Sequence, residues 1–136
     1  MAVPRVVGTH HIAVQVRDLA LAETFYCGVL GLPMLKRWPA EGGGDRALWL
    51  DAGDGSFVAI ERAAPDAALP SADGFATGRA GWHVVALRIH TADRVAWEQH
   101  LATHGVHIVH RSKWTLFIRD PEGNRLGLSH HPEDAP

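Results

Sequence analysis

The sequence predicts an α+β fold built from two copies of one unit, and three observations carry that prediction. His11-Ile12-Ala13-Val14-Gln15-Val16 opens a strand followed by a helix. Val84-Val85-Ala86-Leu87-Arg88-Ile89 opens a second strand and helix, with Val84 following His11 by 73 residues. Val58-Ala59-Ile60 and Leu126-Gly127-Leu128, each just past an acidic-Gly turn, recur 68 residues apart. Helix signals occur only twice, among period-2 runs broken by turn residues. Two half-sheets related by a pseudo-twofold can curl into a cup, and alternate strand residues then line a small-molecule site.

In chain order, the first strand ends at Asp18, a good N-cap, after which Leu19, Ala22, Phe25/Tyr26 and Val29 recur at helical spacing until Gly31 stops the run. Strands follow over Met34 to Trp38, Ala47 to Asp51 and Ser56 to Glu61, the last two joined around Gly53-Asp54-Gly55. Arg62 to Gly81 is rich in Ala, Pro, Asp and Gly without periodicity and reads as the linker. The second unit opens at Val84, starts its helix at Thr91 or Asp93, runs through Val95, Trp97 and Leu101, and stops at Gly105. Strands near His107 to Arg111, Thr115 to Arg119 and Arg125 to Ser129 complete it. Asp120-Pro121-Glu122-Gly123-Asn124 is a strong turn, with Pro presetting φ and Gly free to take a left-handed angle. The whole chain, 1–136, reads as one domain: module one about 7–61, linker 62–81, module two about 82–131. A ferredoxin-like dimeric α+β barrel is the main competing fold, and three strands between the helices, where that fold has two, count against it.

Bulk properties narrow the function. A net charge of −2 offers no basic field for phosphate backbones, so nucleic acid is not an expected partner. Met1 to Thr9 lacks the apolar run of a signal peptide and no stretch is long enough to span a bilayer, which predicts a cytoplasmic location and no membrane partner. Cys27 is the only cysteine and reads as a small buried apolar residue.

"HHIAVQVRDLALAETFYCGVLGLPML", followed far downstream by "IRDPEGNRLGL", resembles the vicinal oxygen chelate superfamily, which includes glyoxalase I, bleomycin-resistance proteins, fosfomycin-resistance proteins and extradiol dioxygenases. The resemblance covers nearly the whole chain. It implies paired βαβββ modules forming a U-shaped mixed-sheet cup, commonly in a homodimer. It also implies a divalent metal held by four residues of the first and last strands of each module, His or Gln early and Glu late.

Carried over residue by residue, that ligand pattern half survives. His11 stands at the first ligand position, and Val84, which cannot coordinate, stands at its counterpart, with His83 one residue out of phase. Gly127 stands where the closing strand should carry Glu. The matching place in module one is Ala59, with Glu61 two residues on and on the same face. His11 and Glu61 are therefore the metal candidates, for one divalent ion (Zn, Ni, Mn or Fe) if any is bound, and Glu61 is also the catalytic candidate. Sites with an open position use about three protein ligands, so a third would have to come from His83 or His131 across a dimer.

The other histidines have bland readings. His100 and His104 lie four apart on the second helix but lack the HExxH glutamate, and with His107 and His110 they read as a solvated face and a strand edge. His130 and His131 read as part of a frayed terminus.

Alternation aims His11, Ala13 and Gln15, Glu61 and Phe57, Arg88, and Phe117 at the concave face, with Trp49 or Leu50 joining according to register. The expected ligand-binding set is thus His11, Gln15, Trp49, Phe57, Arg88 and Phe117. Aromatic walls with few polar groups suit a small organic molecule carrying a carboxylate or phosphate for Arg88. The leading expectation is a small-molecule-binding protein with an incomplete metal-ligand set. The alternative is a divalent-metal lyase, isomerase or dioxygenase acting on vicinal oxygens, and a structural or partner-binding module is a third class.

Overall fold

The computed structural model describes residues 3–70 and 80–134; most of the expected linker, 71–79, lies outside them. The described chain forms two four-stranded sheets of identical topology. In the first, β1 (His11–Val16), β2 (Met34–Pro39), β3 (Asp45–Asp51) and β4 (Phe57–Arg62) take the order β1-β4-β3-β2. In the second, β5 (Val85–Arg88), β6 (His110–Arg111), β7 (Thr115–Arg119) and β8 (Arg125–Ser129) take the order β5-β8-β7-β6. Each first strand runs parallel to the last strand of its module, and the remaining pairs are antiparallel. Ala13 pairs with Ala59 and Ala86 with Gly127, so the repeat seen in the sequence is a repeat of register as well. The expected strand near His107 shrinks to His110–Arg111, which pairs with Phe117 and Leu116.

Helix α1 (Leu19–Glu23) starts as predicted, with the Asp18 carboxylate accepting from the Leu21 amide at 2.9 Å. It then widens into a π-helical segment, Thr24–Val29, in which the Leu30 amide reaches back to Phe25 C=O. A regular 3.6-residue repeat did not anticipate this. The widened turn lets the adjacent rings of Phe25 and Tyr26 both face the core. A single 3-10 turn, Thr91–Asp93, leads into α2 (Arg94–Thr103), which closes on Gly105. There φ is +69°, and the amides of Gly105 and Val106 return to the carbonyls of Ala102 and Leu101, a left-handed cap that glycine adopts without strain.

The core lies on the helix-facing side of both sheets. Leu48, Leu50, Ile60, Leu116 and Ile118 are fully buried and form one cluster with Val16, Phe25, Tyr26, Leu101 and Leu128. At about 1.5–3 kcal/mol for each large side chain removed from water, this cluster is the main driving force for joining the modules.

Three polar clamps fix their relative placement. Glu122, in the turn before β8, accepts the amides of Arg17 and Asp18 at 2.7 Å each, holding the end of β1 and the start of α1. The buried Tyr26 hydroxyl donates to Asp120 Oδ2 at 2.8 Å, while Asp120 Oδ1 gathers the amides of Glu122 and Asn124. His100 Nε2 meets the carbonyl of Val29 at 2.7 Å. His100 is therefore half-buried between helices rather than on a solvated face. The terminal reading of His130 is corrected too. It is 3% exposed, with Arg94 donating to its Nε2 and its Nδ1 on Glu133 C=O, so this end of the chain is tied down.

Candidate functional site

Burial alternates along β1, with His11, Ala13 and Gln15 exposed, and Val16 closing the helix side. Register then lays out the concave face of module one in three rows. His11, Phe57 and Asp51 form one row, Ala13, Ala59, Trp49 and Lys36 the next, and Gln15, Glu61, Ala47 and Trp38 the third. Trp49 is the residue that joins this face, and Leu50 is buried in the core. Small residues beneath large rings shape the surface: Ala47 and Ala59 are buried, while the rings near them remain part-exposed.

Those rings form a continuous ladder. Trp38 meets Trp49 edge-on at 5.0 Å, Trp49 stacks on Phe57 at 4.4 Å, and Phe57 stacks on His11 at 4.8 Å with planes 8° apart. His10 extends it, its Nδ1 2.9 Å from His11 Nδ1. Lys36 Nζ sits 4.1 Å above the Trp38 ring, in cation–π range. Sequence reasoning missed Trp38 and Lys36. Their places opposite Trp49 and Ala47 follow from the β2–β3 register, which alternation within one strand does not supply.

Module two repeats the layout. Ala86, Gly127, Phe117 and His110 share one row, and Arg88, Ser129 and Thr115 the next. Phe117 lies on this concave face, 5.6 Å from His110, rather than in the core. The Thr115 hydroxyl donates to Ser129 Oγ at 2.9 Å.

Between the modules lies an open cleft of about 1320 Å³. His11 to Gln15 of β1, His83 and Val84, and Val85 to Leu87 of β5 line it, with Glu61 and Arg125. Among the described residues, β1 and β5 pair only with β4 and β8, so their second edges border this cleft. The two strands run in opposite directions. Glu122, next to the start of β8, holds the end of β1, while at the opposite end the charge of Arg88 reaches Asp54 in the turn just before Phe57. The His11 row therefore lies at the same end of the cup as the Arg88 row.

Two hydrogen bonds from Ser56 hold the Asp54 carboxyl below its ordinary range. Burial, then the Glu23 carboxylate, push the Cys27 thiol up, which suits an inert side chain rather than a nucleophile.

The residues present do not fit a shared metal. Glu61 pairs with Gln15, four residues along the strand from the His11 position, a separation of roughly 13 Å. His11 stands stacked on Phe57 instead of reaching along the sheet, and ligand bonds to a divalent ion are only about 2 Å long. Among the described residues, no group of three or more His, Cys, Asp or Glu side chains is placed to hold an ion. The carboxylate positions implied by the resemblance are also occupied by something else. Ala59 lies opposite Trp49 and Gly127 opposite Phe117. A Cβ at Gly127 would come within 3.0 Å of Thr115 Cγ2 and 3.6 Å of Phe117 Cε1. Both modules thus place a small residue under an aromatic ring where a metal-binding carboxylate would stand, a pairing in which the ring covers the backbone left bare by the small residue.

A family model described as the Glyoxalase/Bleomycin resistance protein/Dioxygenase superfamily matches residues 8–128. No curated protein matches in sequence. Among solved structures, a glyoxalase/dioxygenase from Nostoc punctiforme is similar with a TM-score of 0.74 at 18% identity, covering 97% of this chain and 100% of that one. The fosfomycin resistance protein FosX from Mesorhizobium loti is similar at 0.69 and 17%, covering 92% of each chain. A lactoylglutathione lyase from Agrobacterium tumefaciens follows at 0.65 and 18%, covering 94% and 96%. At these identities the likeness is one of fold. No helix among the described residues is long and apolar enough to cross a membrane.

Proposed function

This chain belongs to the Glyoxalase/Bleomycin resistance protein/Dioxygenase superfamily, and from that membership and the lining of its cup we propose that it binds a planar aromatic small molecule through ring contacts, without a strand-held metal. The observation that carries the reading is the twin replacement, Ala59 under Trp49 and Gly127 under Phe117. Aromatic pairs gain about 0.5–1.5 kcal/mol beyond the area they bury, and the ring ladder on the concave face of module one favours a flat apolar ligand. His11, Gln15, Trp49, Phe57, Arg88 and Phe117 are its proposed contacts, with Trp38 and Lys36 added. Glu61 and Gln15, paired across β4 and β1, are proposed to hydrogen-bond the ligand's polar edge. A homodimer is part of the proposal, since such assemblies are common in this superfamily.

The chemistry proposed is retention rather than turnover. The test is a ligand-observed NMR screen of bicyclic aromatic fragments against chelator-treated protein and its Trp49→Ala variant. Hits that compete for one site and disappear in the variant support the reading. Binding that requires added Zn, Ni, Mn or Fe contradicts it and restores the metal-dependent alternative with His11 as a ligand.

A further inference from the structure

The module-two half of the cup points to the class of ligand, and this step rests on the aromatic-cup reading above. Arg88 lies on the exposed face of β5, in register with Ser129 of β8 and, beyond it, Thr115 of β7. The Ser129 hydroxyl oxygen already accepts from Thr115 Oγ1 at 2.9 Å and from the His131 amide at 3.5 Å. What remains to it is its own proton, a donor. Guanidinium and hydroxyl on neighbouring strands therefore offer donors only, and their natural complement is an oxyanion, which a guanidinium can bind with two parallel hydrogen bonds. Because β1 and β5 run in opposite directions, this donor row shares an end of the cup with the stacked His11 and Phe57 rings.

The charge on the lining agrees. Alternation puts Lys36, Arg88, Arg119 and Arg125 on the concave faces against the carboxylates of Glu61 and Asp51. One oxygen of Asp51 is folded back onto the Gly53 amide. These four cations outnumber the two strand carboxylates, while Asp54, whose carboxyl the Arg88 charge reaches, and Glu122 on the cleft wall offset part of that excess. We propose that the ligand is an aromatic acid, a flat ring system carrying one carboxylate, sulfonate or phosphate, with the ring on the ladder of module one and the acid on Arg88 and Ser129 of module two.

The experiment compares three probes of one ring system, 2-naphthoate, 2-naphthalenemethanol and 2-naphthylmethylammonium, by calorimetric titration of wild type, Arg88→Gln, Ser129→Ala and Trp49→Ala. The proposal expects naphthoate to bind at least about tenfold tighter than the alcohol, the size of one charge-assisted contact, and the ammonium to bind weakest. Arg88→Gln should bring the acid-to-alcohol affinity ratio close to one, and Ser129→Ala should reduce that ratio in part. Equal affinity for acid and alcohol, or a preference that survives Arg88→Gln, overturns the acid assignment while leaving the aromatic cup standing. Alcohol binding that is indifferent to Trp49→Ala, or no binding of any probe at millimolar concentration, overturns both.

Discussion

Replacing Tyr26 with phenylalanine removes one oxygen atom and cuts the deepest polar link between the modules. The Tyr26 side chain is 1% exposed, and its hydroxyl donates to Asp120 Oδ2 at 2.8 Å. After Tyr26→Phe, Asp120 keeps the amides of Glu122 and Asn124 on Oδ1 and the Asn124 side chain on Oδ2, so the carboxylate loses one of four donors. A hydrogen bond to a charged group contributes about 1.5–3 kcal/mol. For a domain of this size that corresponds to a fall in Tm of roughly 5–12 °C. Urea unfolding at pH 7, followed by far-UV circular dichroism, gives the free energy directly, with an unchanged m-value expected. High pH supplies an independent signature. Burial, then the Asp120 carboxylate, raise the Tyr26 pKa far above its ordinary value of 10.0. The folded state keeps a proton that the unfolded chain releases, so this contribution is complete below pH 10 and is lost as pH rises above it. The slope approaches about 1.4 kcal/mol per pH unit, and Tyr26→Phe should lack it. A variant within about 0.5 kcal/mol of wild type, with the same alkaline slope, would refute the role assigned to this link.

Other substitutions probe the remaining features. His130→Ala should cost about 1–3 kcal/mol in the same unfolding assay, because it strips a buried acceptor from Arg94; a cost under 0.5 kcal/mol would restore a frayed terminus. Gly127→Ala should lose about 1 kcal/mol, since the new methyl would lie 3.0 Å from Thr115 Cγ2 and overpacking outweighs the gain from removing a strand glycine. Thr115→Ser in that background should restore most of the loss, and a more stable Gly127→Ala would contradict the crowding. Glu122→Ala should cost about 1 kcal/mol by leaving the Arg17 and Asp18 amides without their carboxylate, read as a Tm drop; an unchanged Tm would count against the clamp.

The fold was legible because its repeat is written twice in the same grammar. The paired alanines Ala13 and Ala86, the helix stops at Gly31 and Gly105 and the acidic-Gly turns all depend on local backbone preference, which a single sequence displays. The concave face was legible in part, since alternation alone gives His11, Gln15, Glu61 and Arg88 a common side. What alternation does not give is offset between strands. The expectation that Glu61 could serve the same ion as His11 needed the β1–β4 register, which sets them two rows apart. Trp38 was missed for the same reason, because its place opposite Ala47 follows from a hairpin register with a bulge on either side. The run Asp120-Pro121-Glu122-Gly123-Asn124 signals a turn and no more. Its carboxylates reach chain more than ninety residues away, and nothing local announces a contact at that range. His130 was misjudged because nearness to a chain end says little about burial once a side chain finds partners.

In the proposed cup, ring faces hold the ligand in place of a strand-bound metal. The sequence contains five tryptophans, and their indole N–H resonances, assigned by single Trp→Phe variants, report directly on where an aromatic probe settles. Titrating 2-naphthalenemethanol into chelator-treated, nitrogen-15-labelled protein should shift the Trp38 and Trp49 signals with one dissociation constant, unchanged when a divalent metal is supplied. Those of Trp97 and Trp114 should stay in place, whereas Trp82, on the cleft wall, does not discriminate. Shifts centred on Trp97 and Trp114, or a response at Trp38 and Trp49 only after metal is added, would contradict this binding mode.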